Sequence, residues 1–560
     1  MSEQLNGKQC AADRANDGVD RIPGGVDPRD FVGNKFQEIE NASDRDDHGI
    51  SEDFERLIRG RESDPVEMNG QASGENGEVK IDPGEAGQPE RHAEKMQFFH
   101  VEIIGARDSL SRPDCRFALK TAASTICLML DIRLIREQPD FVKSRLATRG
   151  GSDEARINEL IEIDVARRKA ETALQQLNAE RKQLSKTIGQ KKAQGKSCDD
   201  LEDSVRVIND DIAMRELTLR DVLEKDQRDL LLQIPNLPHA NAPVGKDASA
   251  NPVVRSWGEK PKLGSKFLDH VALGTKLKLF DLERAAKLSG SGFVCFTGVG
   301  AKLERALINF MLDLHTREHG YLEISPPFLV RRDCMIGTTQ LPKFEEDMYG
   351  LEPDTNGRNT LFLAPTAEVP VTNLHREEIL GLADLPKKFV AYTPCFRREA
   401  GSAGRETRGI IRVHQFDKVE LVKITTPENS YDEHEKLTAD AERVLQLLGL
   451  HYRMIELCTG DLGFGSAKTY DIEVWSPGQN AYLEVSSCSN FEDFQARRMN
   501  LRFKDGEGKN RFCHTLNGSG LALPRLFAAL IESGQQEDGS IRLPEILLPY
   551  FGEAKIESAN

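Results

Sequence analysis

Five arginines fall between Arg397 and Arg412, inside the stretch FRREAGSAGRETRGIIRVHQFDKVE (Phe396–Glu420), in a 560-residue chain of formal net charge -16. A guanidinium presents a planar fork that meets phosphate or carboxylate oxygens at two points, so such a cluster in an acidic chain points to an anionic ligand. Glycines punctuate the stretch, and the segments FRRE and IIRVHQFDKVE on either side read as strands. The spacing predicts a hairpin whose loop carries much of the charge. Arg397 and Glu399 on one strand, with Phe416 and Glu420 on the other, offer contacts to an anion, to a purine face and to a cation. The bland alternative is a salt-bridged surface hairpin. The chain holds no G-x-x-x-x-G-K-S/T loop and no strand-coupled G-x-G-x-x-G. If a nucleotide binds, side chains must hold it.

A second basic run has a different character. Arg181, Lys182, Lys186, Lys191, Lys192 and Lys196 follow one another with no acid among them. The run suits a solvated surface, and equally contact with a phosphate backbone, where affinity comes from counterion release. The ten cysteines are scattered, with no CxxC pair and no tight Cys/His cluster. That argues against a zinc site and a disulfide framework, and for a reducing compartment.

The elements that must position these residues follow from composition and period. The length predicts three or four units. Residues 1–128 hold 16 basic and 26 acidic side chains, against 59 and 65 in the remaining 432. The body is thus far less acidic than the whole, which leaves room for a local basic face. Residues 1 to about 95 are Gly-, Asp-, Glu-, Asn- and Pro-rich with no sustained apolar period, the composition of a disordered segment. At Met129 the character changes to the apolar-charged pattern MLDIRLIREQPDFVKSRLATRG, so residues 1–128 read as a disordered tail or as an extension upstream of a start at Met129. The apolar run Phe117–Leu130 is too short to span a bilayer and too far from residue 1 for a signal peptide.

Leu160, Ile163, Arg167, Ala170, Leu174, Leu177, Arg181, Leu184 and Ile188 are spaced three and four apart. After GQKKAQGKSCDD the spacing resumes with Leu201, Val205, Ile208, Ile212, Arg215, Leu219 and Val222. This predicts an antiparallel coiled-coil hairpin over residues 129–240, with the basic run at its tip and a seam weakened by arginine. The linker IPNLPHANAPVG closes the arm. Over 241–560, strand candidates KFVAYTPCFR, IRVHQFDKVELVKI, TYDIEVWSP and AYLEVSSCSN often follow one another directly, with helices elsewhere. That favours an α+β fold with a mostly antiparallel sheet.

Three stretches resemble the motifs of class II aminoacyl-tRNA synthetases. LINFMLDLHTREHGYLEISPPFLV (Leu307–Val330) is similar to motif 1, the arginine stretch to motif 2, and HTLNGSGLALPRLFAALIE (His514–Glu532) to motif 3. Within the class, TAEVPVTNLH (Thr366–His375), EVSSCSNFEDFQARRMN (Glu484–Asn500) and the arm resemble seryl-tRNA synthetases of the bacterial type. The resemblance spans Met129 to about Pro549 and leaves residues 1–128 without a counterpart.

The resemblance implies a serine–tRNA ligase that forms seryl-adenylate from serine and ATP, then transfers the seryl group to the 3' end of tRNA(Ser), with tRNA(Sec) a further acceptor by family analogy. It implies that Arg397 and Arg525 are catalytic. It also implies that Arg397, Arg398, Glu399, Val413, Phe416, Glu484, Val485, Ser486, Ser487 and Arg525 bind ATP. In that reading Phe416 stacks on adenine, and Glu484 and Ser487 hold Mg²⁺. Thr366, Ala367, Glu368, Arg397, Glu420 and Ser519 would bind serine. The arm, with its six basic residues, would bind tRNA. A homodimer through motif 1, no membrane association and a cytoplasmic location are implied as well. A class II enzyme for threonine or proline is a rival, but it would carry a further domain after motif 3. A non-charging paralogue is another, but it would lack the hairpin or lose Arg397, Glu484 or Arg525.

Overall fold

The computed structural model describes residues 129–264, 267–351, 361–400 and 408–557. The expectations for residues 1–128 and for the middle of the arginine-rich loop (401–407) lie outside the described residues.

Met129 and Leu130 are buried. With the short helices Ile132–Glu137 and Pro139–Ala147 they join Leu231, Ile234 and Phe464 in one apolar cluster. Helix α1 (Glu154–Ala193) and helix α2 (Asp199–Thr218) form the expected hairpin. Forty residues at the standard rise make α1 about 60 Å long. Its end is set by Gly195, at φ +67°: the amides of Gly195 and Lys196 donate back to Lys192 O and Lys191 O, closing a Schellman turn. Lys191 and Lys192 occupy the negative end of α1, and Asp199, Asp200 and Glu202 the positive end of α2.

The seam is thin. Of the expected residues only Leu160, Leu174 and Ile212 are buried, while Leu177, Leu184, Ile188, Val205 and Ile208 are half-buried. The expected register fails near its end. Arg215 turns outward to Asp211 (2.8 Å), and Val222 is 44% exposed. A π-helical turn, Leu219–Leu223, widens the spiral, and the chain continues as helix α3 (Glu224–Leu232) with Gln227 and Leu231 facing inward. A turn wider than 3.6 residues rotates every later side chain, which a regular three-four spacing cannot anticipate. At the root, buried Asp164 of α1 accepts from Arg136 (2.8 Å), Arg168 (3.1 Å) and Gln227 (3.3 Å).

The body is built on an eight-stranded sheet: β1 (Val253–Trp257), β2 (Leu322–Glu323), β3 (Lys387–Phe396), β4 (Gln415–Thr425), β5 (Tyr452–Glu456), β6 (Lys468–Ser476), β7 (Ala481–Asn490) and β8 (His514–Ala522). Their order across the sheet is β1-β5-β6-β7-β8-β4-β3-β2, and every pairing is antiparallel except β2 with β3. The α+β expectation is met. Helices α4 (Val299–Arg317), α5 (Ser430–Leu447) and α6 (Leu523–Ser533) supply the apolar residues that bury the inner side chains, such as Val390, Val419 and Leu421. Alternation along β4 sends Phe416, Lys418 and Glu420 to the other face. The returning strand starts at Gln415, later than expected. The regular ladder with β3 ends at Phe396–Gln415; one more bond follows, from the Arg397 amide to His414 O (2.9 Å), while the His414 amide donates instead to Gly292 O. Residues 411–413 are thereby released to turn inward.

Candidate active site

The open face of the sheet carries a cavity of about 730 Å³. Arg397 and Glu399 enter it from the end of β3, Val413 from the turn before β4, and Phe416 and Glu420 from β4. Thr366 and Glu368 come from a loop opening into the short buried helix Glu368–Thr372. Glu484, Val485 and Ser487 come from β7, Ser519 from β8, and Arg525 from the first turn of α6. Of the residues expected to bind ATP or serine, Arg398, Ser486 and Ala367 do not line the cavity. Arg398 lies 5.6 Å from the Tyr349 ring. Ser486 is buried and donates to Ser519 O (2.7 Å), because a bulge between Glu484 and Ser486 breaks the alternation of β7. Ala367 packs in an apolar cluster with Phe389 and Val422.

Arg397 is held on two sides. Its Nε donates to Pro365 O (3.3 Å), and its guanidinium carbon lies 5.3 Å from the centre of the Phe416 ring. Arg525 donates from Nε to Ile411 O (3.2 Å) and from Nη1 to Glu484 O (2.7 Å), with the Glu484 carboxylate 3.5 Å away. Glu399, at φ +52°, forms an ion pair with Arg412, which also lines the cavity. All of these groups line the one cavity, Arg397 beside the Phe416 ring and Arg525 beside Glu484.

The serine-loop side is polar and buried. Lys418 donates to Thr366 Oγ1 (3.0 Å) and forms an ion pair with Glu420. Glu368 has no ion pair among the described residues. Gln495 Nε2 donates to it at 2.7 Å and Gln340 Nε2 at 3.4 Å. Burial pushes the Glu368 carboxyl up to about 7, with Gln495 opposing the rise. On β6, Asp471 lies opposite Ser487. One of its oxygens, Oδ1, is buried with no hydrogen-bond partner among the described residues. Burial, and then the charge of Glu484, push its carboxyl well above the usual range. Glu484 and Ser487 line the cavity with oxygen donors of the kind a hard divalent cation takes, though among the described residues no group of three or more His, Cys, Asp or Glu side chains is placed to hold a metal.

Sequence reasoning missed Lys418, Arg412, Asp471 and Gln340. Lys418 was legible: it sits midway between Phe416 and Glu420 at a strand period of two. Arg412 was counted in the arginine cluster but given no place. On the arm, Lys182, Lys186 and Lys196 are exposed near the tip. Arg181 instead donates to Asn178 of its own helix (2.8 Å) and to Asn209 of the returning one (3.3 Å), and Lys192 pairs with Glu202 of the returning helix (2.6 Å).

Two family models match the chain: the seryl-tRNA synthetase N-terminal domain over residues 129–238, and the tRNA synthetase class II core domain (G, H, P, S and T) over 349–534. A serine–tRNA ligase of Akkermansia muciniphila is 59% identical over 427 residues, covering 76% of this chain and 98% of the relative. One of Carboxydothermus hydrogenoformans is 54% identical over 429 residues, covering 76% and 99%. Among solved structures, seryl-tRNA synthetase from Pyrococcus horikoshii complexed with ATP superposes with a TM-score of 0.71 at 39% identity, over 77% of this chain and 100% of that one. The cytoplasmic enzyme of Naegleria fowleri in complex with AMP gives 0.68 at 30% identity, over 77% and 99%.

Proposed function

The chain belongs to the seryl-tRNA synthetases, class II aminoacyl-tRNA synthetases that act as serine–tRNA ligases, and from that premise we propose how its residues divide the work. ATP lies in the cavity, its adenine against Phe416 with Val413 beside it and Glu399 at its exocyclic amine. The serine carboxylate attacks the α-phosphorus, the bond to the β-phosphate oxygen breaks, and pyrophosphate leaves. The protein's part is positioning and charge neutralisation. Arg397, already oriented by Pro365 O, meets the α-phosphate and the attacking carboxylate. Arg525 closes the other side of the nucleotide. Glu484 and Ser487 would hold Mg²⁺, which when bound neutralises phosphate oxygens. In the second step a 3'-terminal hydroxyl of tRNA(Ser) attacks the seryl carbonyl and AMP leaves.

Serine sits against the Thr366–Glu368 loop. Glu368 lacks a cation, so it takes the substrate ammonium. Glu420, already paired with Lys418, accepts from the substrate hydroxyl, with Ser519 nearby. Polar groups aimed at a hydroxyl reject alanine because they would be left unpaired. The arm, residues 129–240, holds tRNA through exposed Lys182, Lys186 and Lys196, while residues 241–560 do the chemistry. The protein works as a cytoplasmic homodimer through motif 1. Among the described residues no helix is long and apolar enough to cross a membrane.

The observation that carries this reading is that Arg397, Phe416, Glu368 and Arg525, from four separate segments, line one cavity. ATP–pyrophosphate exchange measured with each of the twenty amino acids, followed by tRNA charging, tests it. Exchange dependent on serine, with charging of tRNA(Ser), is expected. Exchange driven by another amino acid, or exchange without charging, would overturn it.

A further inference from the structure

Gln495 sits on the short helix Phe494–Met499 and does not line the cavity, yet one end of its amide meets Glu368. The side chain is buried. Its Oε1 accepts from Thr515 Oγ1 at 2.8 Å, and its Nε2 donates to Glu368 Oε1 at 2.7 Å. An amide has one accepting and one donating end, and an ionised carboxylate can only accept. The relay Thr515–Gln495–Glu368 therefore has a single direction when Glu368 is charged. A protonated Glu368 would keep one accepting oxygen for Gln495, but a hydrogen bond to the charged carboxylate is the stronger one, so the relay favours the ionised form.

The other groups facing Glu368 are Glu420 and Lys418 of β4, Arg397 beyond the end of β3, and Gln340 from the loop after the helix Arg332–Gly337. Lys418 is already committed to Glu420 and Thr366, and Arg397 to Pro365 O. The Gln340 contact is long, at 3.4 Å, and the Gln340 carbonyl is taken up by Thr338 Oγ1 at 2.5 Å. Among the described residues Gln495 thus gives the short hydrogen bond to the Glu368 carboxylate, from behind the cavity wall.

The geometry points to Gln495, oriented by Thr515, as a positioning residue: it keeps Glu368 charged and aimed at the ammonium of the incoming amino acid. This rests on the assignment of Glu368 to the ammonium made above. A hydrogen bond to a charged group is lost when Gln495 is replaced by an apolar side chain, and the carboxylate is left to meet burial without it.

The test is serine-dependent ATP–pyrophosphate exchange measured from pH 6 to 9 on the full chain, comparing wild type with Gln495→Leu, Thr515→Val, Thr515→Ser and Glu368→Gln. For Gln495→Leu we expect the serine KM to rise about 10- to 100-fold, with the ATP KM and the rate at saturating serine little changed. The pH below which serine binding weakens should move upward. Thr515→Val should move it the same way by less, and Thr515→Ser, which keeps the hydroxyl, should bring it back. Equal rises in the ATP and serine KM with an unmoved pH profile would overturn the inference, leaving Gln495 a packing residue. If Gln495→Leu does not fold, the Thr515 pair decides alone: identical pH profiles for Val and Ser contradict it. Glu368→Gln separates the two layers. A serine KM untouched by that change removes the ammonium assignment itself. A serine KM raised by Glu368→Gln but not by the Gln495 or Thr515 variants removes only the relay.

Discussion

Arg397 is fixed in place by the protein's own backbone: its Nε is bonded to Pro365 O and its face rests on Phe416. Donors arranged before charge develops need no reorganisation when it does, and removing one such group costs about 100- to 1000-fold in rate. Arg397→Ala is expected to abolish serine-dependent exchange, and Arg397→Lys, which keeps the charge but loses the fork, to slow it by about 100-fold. Circular dichroism should be unchanged in both; near-normal exchange would contradict the assignment. Glu368 sets a second expectation. Its carboxyl lies at about 7 because it is buried, so the charged form that receives an ammonium is present above that pH and is lost as pH falls through it. The serine KM should be lowest in the window above the Glu368 carboxyl and below the point where serine's own ammonium deprotonates, and rise about tenfold per unit on the acid side, while the ATP KM should not follow; a flat serine profile down to pH 5.5 would contradict this. Phe416 and Glu420 were legible in sequence from strand alternation, and Arg525 from the resemblance to motif 3 at the start of a helix. Arg398, Ser486 and Ala367 lie off the cavity wall because adjacency to a lining residue does not set direction. A bulge in β7 turns Ser486 away, and the loop before the Glu368–Thr372 helix turns Ala367 into the apolar cluster.

The hairpin arm is an element whose stability and function come apart. Its seam buries few residues, so the arm contributes little to the core and much to reach. Deleting the tip, Gly189–Cys198, should raise the tRNA KM in charging by well over tenfold while leaving pyrophosphate exchange near wild type; equal loss of both would indicate a folding defect instead. The π turn Leu219–Leu223 makes a sharper prediction. Removing one residue there, Asp221, turns every upstream side chain of α2 by about 100° relative to α3. Either the seam or the root contacts of Gln227 and Leu231 must then break. Charging should fall while exchange persists, and a circular-dichroism melt should show an early transition absent from the wild type. An unchanged melt and unchanged charging would mean the turn sets no register. The three-four spacing showed that a hairpin exists and where it turns. It could not show the extra residue, because a π turn depends on hydrogen bonds that no residue type announces.

At the scale of the whole molecule, arm and body are locked by arginines that donate to carbonyls. Arg149 donates to Asn236 O (2.8 Å), Leu462 O (3.1 Å), Gly463 O (3.1 Å) and Ser466 O (2.6 Å). Arg498 joins the other side, donating to Leu232 O (3.3 Å) and Ile336 O (3.2 Å). Burial lowers Arg149 to about 10, which still leaves it charged at neutral pH. Arg149→Ala would strand buried carbonyls and should lower unfolding stability by about 2–4 kcal/mol in urea titration; a loss below about 0.5 kcal/mol would contradict the lock. Such contacts join residues hundreds apart in the chain, so no local pattern in the sequence reports them. Gly463 also lines the nucleotide cavity, so the same arginine ties the root of the arm to its wall. The claim beneath all of this is that the nucleotide lies between Arg397 and Arg525 on the open face of the sheet. A crystal structure with a non-hydrolysable seryl-adenylate analogue tests it most directly. The account predicts the phosphate mimic within hydrogen-bond reach of Arg397, the adenine stacked on Phe416 with Arg525 on its other side, and the seryl ammonium on Glu368. An analogue bound elsewhere, or bound there with either arginine turned away from it, would contradict the account.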